Sequence, residues 1–370
     1  MINKMHTNYK MHFISLMLMV FFISALFLVE AFILNIHPTD GVMIDTAAFH
    51  PLDEEEKNEN SNWSSVALPH DWLEQNSNYK VGFYRCTVNI DKTPEGTWAI
   101  FIPKIIQNVD VYINGYWIDH NRISSKNAHY WNEPFIARFD GQHLKQGKNT
   151  LLIELTGHSS EQNYISKIYL GEASVITNSW LIAKAFRTDS VKIINFFIVA
   201  IEIIVFVLWR QQRSNRVYFP LLLGCMTLWF YNQDATINEI YFDINTWNLM
   251  ISLAFGWSIS FLSVANFNAL DFPKKNLIKL IYLYNLAGLL LLIPFNQDLQ
   301  SIFLRLWQAG MIVIFVANCI YLYQEFLKNN NKLAVYLFFA SSLSLFLGIH
   351  DLLASLAILQ RQSQIGRAHV

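Results

Sequence analysis

Two small sets of residues in this 370-residue chain have side chains of the kinds that bind or react. One set is Trp72, Tyr84, Arg85, Trp117, His129, Trp131 and Asn132. It combines flat aromatic faces with a cation, an imidazole and an amide, a mixture suited to holding a polar small molecule in a cleft. The other set is Glu202, His350 and Asp351, ionisable groups inside otherwise apolar runs, where polarity is costly. Each set also has a plainer reading. Trp72, Tyr84 and Trp131 would serve as core or sheet-packing residues, Arg85 as a buried structural pairing, and His129 as an ordinary loop residue. His350 and Asp351 are neighbours on a helix and point about 100° apart, so they cannot share one face, although both can line a bundle interior. A contact of His350 with Glu202 across helices would make a switch element, and simple helix-to-helix packing is the competing account. No second His stands at ligand spacing on these helices, and Cys86, Cys225 and Cys319 are too scattered for a zinc site or a disulfide framework. Neither a metal nor a cofactor is expected, and no catalytic residue stands out.

The elements that must position these residues follow from composition. Hydrophobic residues make up 53% of the chain and charged residues 15%, against about 25% charged in ordinary soluble domains. The 27 Lys and Arg balance 28 Asp and Glu, which with the apolar content excludes disorder, collagen and nucleic-acid binding. One apolar run, Phe13 to Leu34, follows a short N-terminus at residues 1–12 and is long enough to cross a bilayer as an anchor, or to act as a signal peptide. Six more runs occupy residues 191–359: Val191 to Leu208, Val217 to Tyr231, Trp247 to Phe267, Leu277 to Phe295, Ile302 to Tyr323 and Leu333 to Leu359. Lys4 and Lys10, then Arg210, Arg213 and Arg216, then Lys274 and Lys275, then Lys328 and Lys332 mark alternate connections as cytoplasmic, because basic loops resist translocation. The intervening loops carry Asp234, Glu239, Asp243 and Asp298 and no Lys or Arg, so they are expected to face outward with the polar insert. Arg305 is expected to snorkel, and Asn285 and Asn318 to bond neighbouring helices. Six crossings after an outward insert leave the end of the chain outside, and residues 365–370 read like one translated frame of a sequencing adapter. Native sequence is therefore expected to end near Gln364, with a seventh helix and an output domain beyond it.

Residues 36–187 change to short alternating segments punctuated by Asn, Gly, Pro and Asp, the signature of strands and turns. Strands are predicted at Gly82 to Ile90, Trp98 to Ile102, Asn108 to Ile113, Tyr116 to Asp119, Phe135 to Phe139, Thr150 to Thr156 and Ile165 to Leu170. Asn114-Gly115 supplies the positive φ angles of a tight hairpin turn, and Gly147-Lys148-Asn149 does similar work before the sixth strand. The polar run Asp53 to Asn62 reads as a solvated loop. Asn178 to Asp189 reads as a short connection into the first bundle helix. The fold class is thus multidomain, an all-β sandwich inserted between an N-terminal transmembrane helix and an all-α polytopic bundle.

Four segments carry a resemblance: Leu68-Pro69-His70-Asp71-Trp72, Phe83-Tyr84-Arg85, Val111-Tyr112-Ile113-Asn114-Gly115, and Leu144-Lys145-Gln146-Gly147-Lys148-Asn149-Thr150-Leu151. Their order resembles galactose-binding-like jelly rolls, of which the sugar-binding domain of family 2 glycosidases is the best known. With Trp131-Asn132-Glu133-Pro134 and a helical bundle downstream, the stretch from Ser61 to Leu359 resembles bacterial receptors with seven transmembrane helices and diverse intracellular signalling modules. That resemblance implies a home in the bacterial inner membrane, a periplasmic jelly roll, and a cytoplasmic histidine kinase or diguanylate cyclase, neither of which has its motifs here. Glycosidase chemistry needs two carboxylates about 5 to 10 Å apart in a barrel for which the chain lacks room, so the likeness extends to binding alone. The implied partners are the lipid bilayer, a periplasmic small molecule, glycan or protein, and a second copy of the chain. A membrane enzyme or transporter built on Glu202, His350 and Asp351 stands as the alternative.

Overall fold

The computed structural model describes residue 24 and residues 36–52, 63–71, 81–92, 94–105, 108–121, 129–156, 164–292, 297–329 and 331–355. The run Asp53 to Asn62, the rest of the first apolar run and the segment 365–370 lie outside them. A β region comes first and a helical region follows. One compact unit holds Ile33–Phe197 together with Asn232–Asn248, and a second holds Ile198–Tyr231 and the residues from Leu249 onward.

In the first unit, a four-stranded sheet runs in the order β1 (Val42–Ile44), β12 (Ile168–Glu172), β6 (Thr97–Ile102), β9 (Phe135–Asp140). A six-stranded sheet runs β3 (Ser64–Ala67), β2 (Thr46–Leu52), β5 (Val81–Ile90), β10 (Gly147–Thr156), β7 (Asn108–Ile113), β8 (Tyr116–His120). A short pair, β4 (His70–Asp71) with β11 (Tyr164–Ile165), completes the antiparallel pairings. The alternation in β5 buries Tyr84, Cys86, Val88 and Ile90 and turns Arg85, Thr87 and Asn89 outward, as a strand with one covered face requires. Its partner β10 buries Leu151, Ile153 and Leu155 by the same rule. These residues share one core with Ile100, Ile102, Ala137, Phe139, Ile168 and Leu170 of the smaller sheet. Asn114 (φ 51°) and Gly115 (φ 87°) make the turn between β7 and β8. Asn149, 2% exposed, holds the loop before β10 shut. Its Oδ1 accepts from Lys145 N and Asn114 Nδ2, and its Nδ2 donates to Lys145 O and Gly147 O.

The run Ala99 to Ile102 is buried at every position, so β6 is covered on both faces. The outer cover is a helix, α1 (Ala173–Lys184), whose Ile176 and Ala183 pack with Phe101, Tyr169 and Ala99. Here the structure departs from the sequence reading, which placed a connection at Asn178 to Asp189. Helix α1 begins directly after β12, continues through a π-helical turn at Ala185–Asp189 and enters α2 (Ser190–Gln211), giving 39 helical residues from Ala173 to Gln211. No Gly or Pro interrupts that stretch, so nothing ends the helix locally. The predicted strand at Ile165 to Leu170 is likewise two strands, because Ser166 turns aside to bond Lys104 through its N–H (2.9 Å to Lys104 O) and its hydroxyl (3.0 Å from Lys104 N).

The remaining helices are α3 (Tyr218–Gln233), α4 (Ile244–Ala269), α5 (Lys275–Gly288) with a 3-10 turn at Leu289–Leu292, α6 (Gln297–Asn329) and α7 (Lys332–Ser355). Each of the six apolar runs therefore contains a helix. Among the described residues, Ala173–Gln211, Ile244–Ala269 and Ile302–Asn329 are long and apolar enough to cross a membrane. Helices α3 and α5, at 16 and 14 residues, fall short of the roughly 20 that a full crossing takes.

In the second unit the packing centre is Trp307 of α6. It is 6% exposed, clustered with Leu249, Leu253, Leu291 and Met311, and its indole N–H donates to Tyr284 O at 3.2 Å. Two glycines make room for it. A Cβ at Gly256 would lie 2.5 Å from the ring and one at Gly288 2.8 Å, closer than packed atoms approach. Asn285 and Asn318 do bond neighbouring helices: Asn285 Oδ1 accepts from Ser260 (2.7 Å), and Asn318 Nδ2 donates to Ser341 (3.2 Å). Gly256→Ala is expected to destabilise the chain in detergent by about 1–3 kcal/mol through overpacking, read as a fall in thermal midpoint. Adding Trp307→Phe should recover part of that loss, because the two changes share one contact.

Candidate functional site

The loop before β9 and the turn Ala185–Asp189 come together with the segment Asn232–Asn248, all within the first unit. That segment carries the end of α3 and the start of α4, and its centre is Asp234. Asp234 Oδ1 lies 2.9 Å from His129 Nε2 and 2.7 Å from Trp247 Nε1. A carboxylate only accepts, so both ring nitrogens donate to it. The main-chain carbonyl of Asp234 accepts from Trp131 Nε1 at 2.8 Å. Asn132 Nδ2 donates to Arg187 O (2.7 Å) within the π-helical turn and to Ala235 O (3.3 Å). Asn238 Nδ2 donates to Glu133 Oε2 (2.7 Å), and His129 N donates to Asn238 O (2.9 Å). His129 is 8% exposed, and its ring meets Trp247 edge to face at 6.5 Å. The second carboxylate here, Glu133, is occupied by Asn238. The arrangement is a junction that fixes one segment against another.

The sequence-derived set divides accordingly. His129, Trp131 and Asn132 meet at this junction, where their partners come from the chain itself. Tyr84 is wholly enclosed in the core, its hydroxyl 2.8 Å from His70 Nδ1 and its ring against Phe49, and burial pushes its phenol well above the usual range. Arg85 is exposed on the outer face of β5 with its guanidinium 4.2 Å above the Trp63 ring. Trp117 is 51% exposed on β8, beside His120 and 3.4 Å from Asp110 Oδ1. Trp72 lies outside the described residues. Asp234, Trp247, Asn238 and the Arg187 carbonyl were not singled out from sequence, where Asp234 counted only as part of an outward acidic loop. Its partners His129 and Trp131 stand more than a hundred positions away, and no local pattern announces them.

A second polar cluster lies near the β4–β11 pair. Lys104 Nζ sits 5.3 Å from the Tyr164 ring centre, and the Arg187 guanidinium donates to the neighbouring Pro103 O. Burial pulls the Lys104 amine down to about 8, the Arg187 charge pulls the same way, and Asp71 opposes them.

In the second unit, Glu202 lines a partly open cavity of about 590 Å³ with Met226, Trp229, Phe230, Leu253 and Trp257. Its Oε1 is buried and accepts no hydrogen bond. His350 and Asp351 lie on α7, with side chains outside the described residues. Among the described residues, no three His, Cys, Asp or Glu side chains are grouped to hold a metal ion.

No family model and no curated protein matches the chain. Solved structures similar to it include a GH2 β-galacturonidase from Eisenbergiella tayi bound to glycerol, at 12% identity and TM-score 0.28, covering 37% of this chain and 25% of that one. A β-glycosidase from Bacteroides vulgatus matches at 19% identity and TM-score 0.28, over 36% of this chain and 20% of that one. A β-glucuronidase from Faecalibacterium prausnitzii matches at 14% and 0.26, over 32% and 22%. The chain thus spans a quarter or less of the length of these enzymes. Likenesses this slight carry no argument about activity.

Asp234→Ala removes the acceptor that His129 Nε2 and Trp247 Nε1 share, and amide hydrogen exchange across residues 232–248 is expected to rise about tenfold or more, on the order of one to two lost charge-assisted bonds. Asp234→Asn keeps an acceptor oxygen and should raise it far less. For Lys104 the folded chain releases its proton near 8 and the unfolded chain near 10.5, so between those values only the unfolded state holds it. The contribution of this group to stability therefore rises with pH across that window and is flat below it. Lys104→Met is expected to raise the urea midpoint at neutral pH, with a gain that shrinks as pH approaches 10.

Proposed function

We propose that the chain is the sensing part of a bacterial membrane receptor. In this reading the β region is a galactose-binding-like jelly roll on the periplasmic side of the inner membrane. It binds a small molecule, a glycan or a partner protein, and the helices pass its state to a cytoplasmic histidine kinase; the same relay would serve a diguanylate cyclase.

The observation that carries the reading is the Asp234 junction. A ligand shifts a receptor only by its difference in affinity for two states, so the binding region must bear on elements that lead into the helices. Two such elements are held by the loop before β9. One is the segment 232–248 that connects α3 to α4, and the other is the π-helical turn that connects α1 to α2. An attached but uncoupled adhesion domain has no need of either. The basic residues Arg210, Arg213 and Arg216 and the acidic residues Asp234, Glu239 and Asp243 support the orientation.

Alkaline phosphatase fused after Thr236 is expected to be active in a Gram-negative host and inactive when fused after Arg213. In the intact receptor, Asp234→Ala should abolish the response at unchanged membrane level, whereas Asp234→Asn should retain much of it. Reversed phosphatase sidedness, or a full response from the alanine variant, removes the receptor reading.

A further inference from the structure

The cavity beside Glu202 is large enough for a ligand of ordinary drug size, since such sites run from about 300 to 1,000 Å³. Glu202 stands well inside α2, about 18 Å along the axis from Ser190 and about 13 Å from Gln211 at the usual rise per residue. A carboxyl group at that depth is expensive unless something donates to it. Two donors that line the cavity are engaged elsewhere: Thr227 Oγ1 donates to Leu223 O (2.8 Å) and Trp257 Nε1 to Asn285 O (3.1 Å). Among the described residues, no Lys, Arg or His lines the space. The walls are otherwise apolar, with the aromatic side chains Trp229, Phe230 and Trp257 among them.

The geometry points to a binding site for a lipophilic ammonium, an amphiphile whose N–H groups meet Glu202 and whose apolar body lies against Met226 and Leu253. A cation satisfies both features of the cavity. It supplies the donors that Oε1 lacks, and aromatic faces attract it most strongly where water is excluded. A neutral alkyl chain would bring no donor to Oε1, and an alcohol only an uncharged one. The ammonium can belong to a free amine or to the head of an aminophospholipid. The site stands on the second unit alone and does not depend on the receptor reading.

The test uses the full chain in phosphatidylglycerol nanodiscs and a dodecylamine bearing a mid-chain diazirine, with labelled peptides mapped after illumination. Saturable labelling around Met226 and Leu253 is expected, displaced by dodecylammonium and not by dodecanol at equal membrane concentration. Glu202→Gln should weaken labelling about tenfold, the scale of one desolvated cation contact. Leu253→Trp, which fills the space and leaves the carboxylate in place, should abolish it. Repeating the experiment with phosphatidylethanolamine in the disc separates the two sources. Loss of labelling there assigns the site to the aminolipid head, and retention assigns it to a free amine; both uphold the ammonium site. Equal displacement by dodecanol, labelling away from α2, α3 and α4, or a Glu202→Gln chain that labels like the parent overturns it. Should that variant fail to fold, the dodecanol comparison on the parent chain decides.

Discussion

A carboxylate that accepts from two ring N–H groups at once sets the terms for the first unit. Asp234 takes hydrogen bonds from His129 and Trp247, and its own carbonyl takes one from Trp131. Buried donors must find acceptors or forfeit their hydration, and each missing bond costs about 1–3 kcal/mol. A connection between two helices would ordinarily meet that demand with water. Here the segment 232–248 meets it with the edge of a β region far away in sequence, so its path is fixed by partners outside itself. Asn132 extends the same logic to a helix. The π-helical turn at Ala185–Asp189 leaves the Arg187 carbonyl able to accept from a side chain, and Asn132 supplies the donor.

The covalent route out of the β region is equally stiff. Strand β12 ends at Glu172 and α1 begins at Ala173, so no flexible linker separates sheet from helix. Helix α1 is held along its length, by Ile176 and Ala183 against the outer face of the small sheet and by the Trp180 indole bonded to Pro134 O (2.9 Å). Pro134 closes the Trp131-Asn132-Glu133-Pro134 segment, whose other members hold Asp234, Ala235 and Asn238. One short loop therefore touches α1, the π-helical turn and the α3–α4 connection. Coupling between elements that share a loop is reciprocal. Any coupling free energy between two such elements acts equally in both directions.

Much of the β architecture was legible because it rests on local rules. The alternation in β5 and β10 fixes their inward faces, and Asn114-Gly115 has the φ angles of its turn written into its residue types. The unbroken burial of Ala99 to Ile102 carried a further signal, since a strand apolar on both faces needs a second cover, and α1 is that cover. Reading Asn178 to Asp189 as a connection missed it because Thr177, Asn178 and Ser179 look like a loop one by one, while the spacing of Ile176, Trp180 and Ala183 is helical. The junction was half legible. His129, Trp131 and Asn132 stood out by type, but type cannot say whether the partner is a ligand or the chain, and Asp234 lies in a segment with no periodicity to mark it.

The helical unit shows which polar groups a bundle tolerates for structure and which it does not. Ser260 gives its proton to Asn285, and Asn266 and Asn318 both donate to Ser341, so small amides and hydroxyls bind helices at modest cost. Even where Asn285 leaves its Nδ2 without a partner, the orphaned group is neutral and its carbonyl oxygen is engaged. Glu202 differs in kind. It carries a full ionisable group, lines a partly open cavity, and among the described residues leaves Oε1 unmatched. Packing alone would be served better by leucine at that position, because a leucine fills space without a desolvation penalty. A glutamate whose Oε1 is unmatched among the described residues, beside a cavity lined by aromatic rings, has a physical rationale as the partner of a positively charged guest.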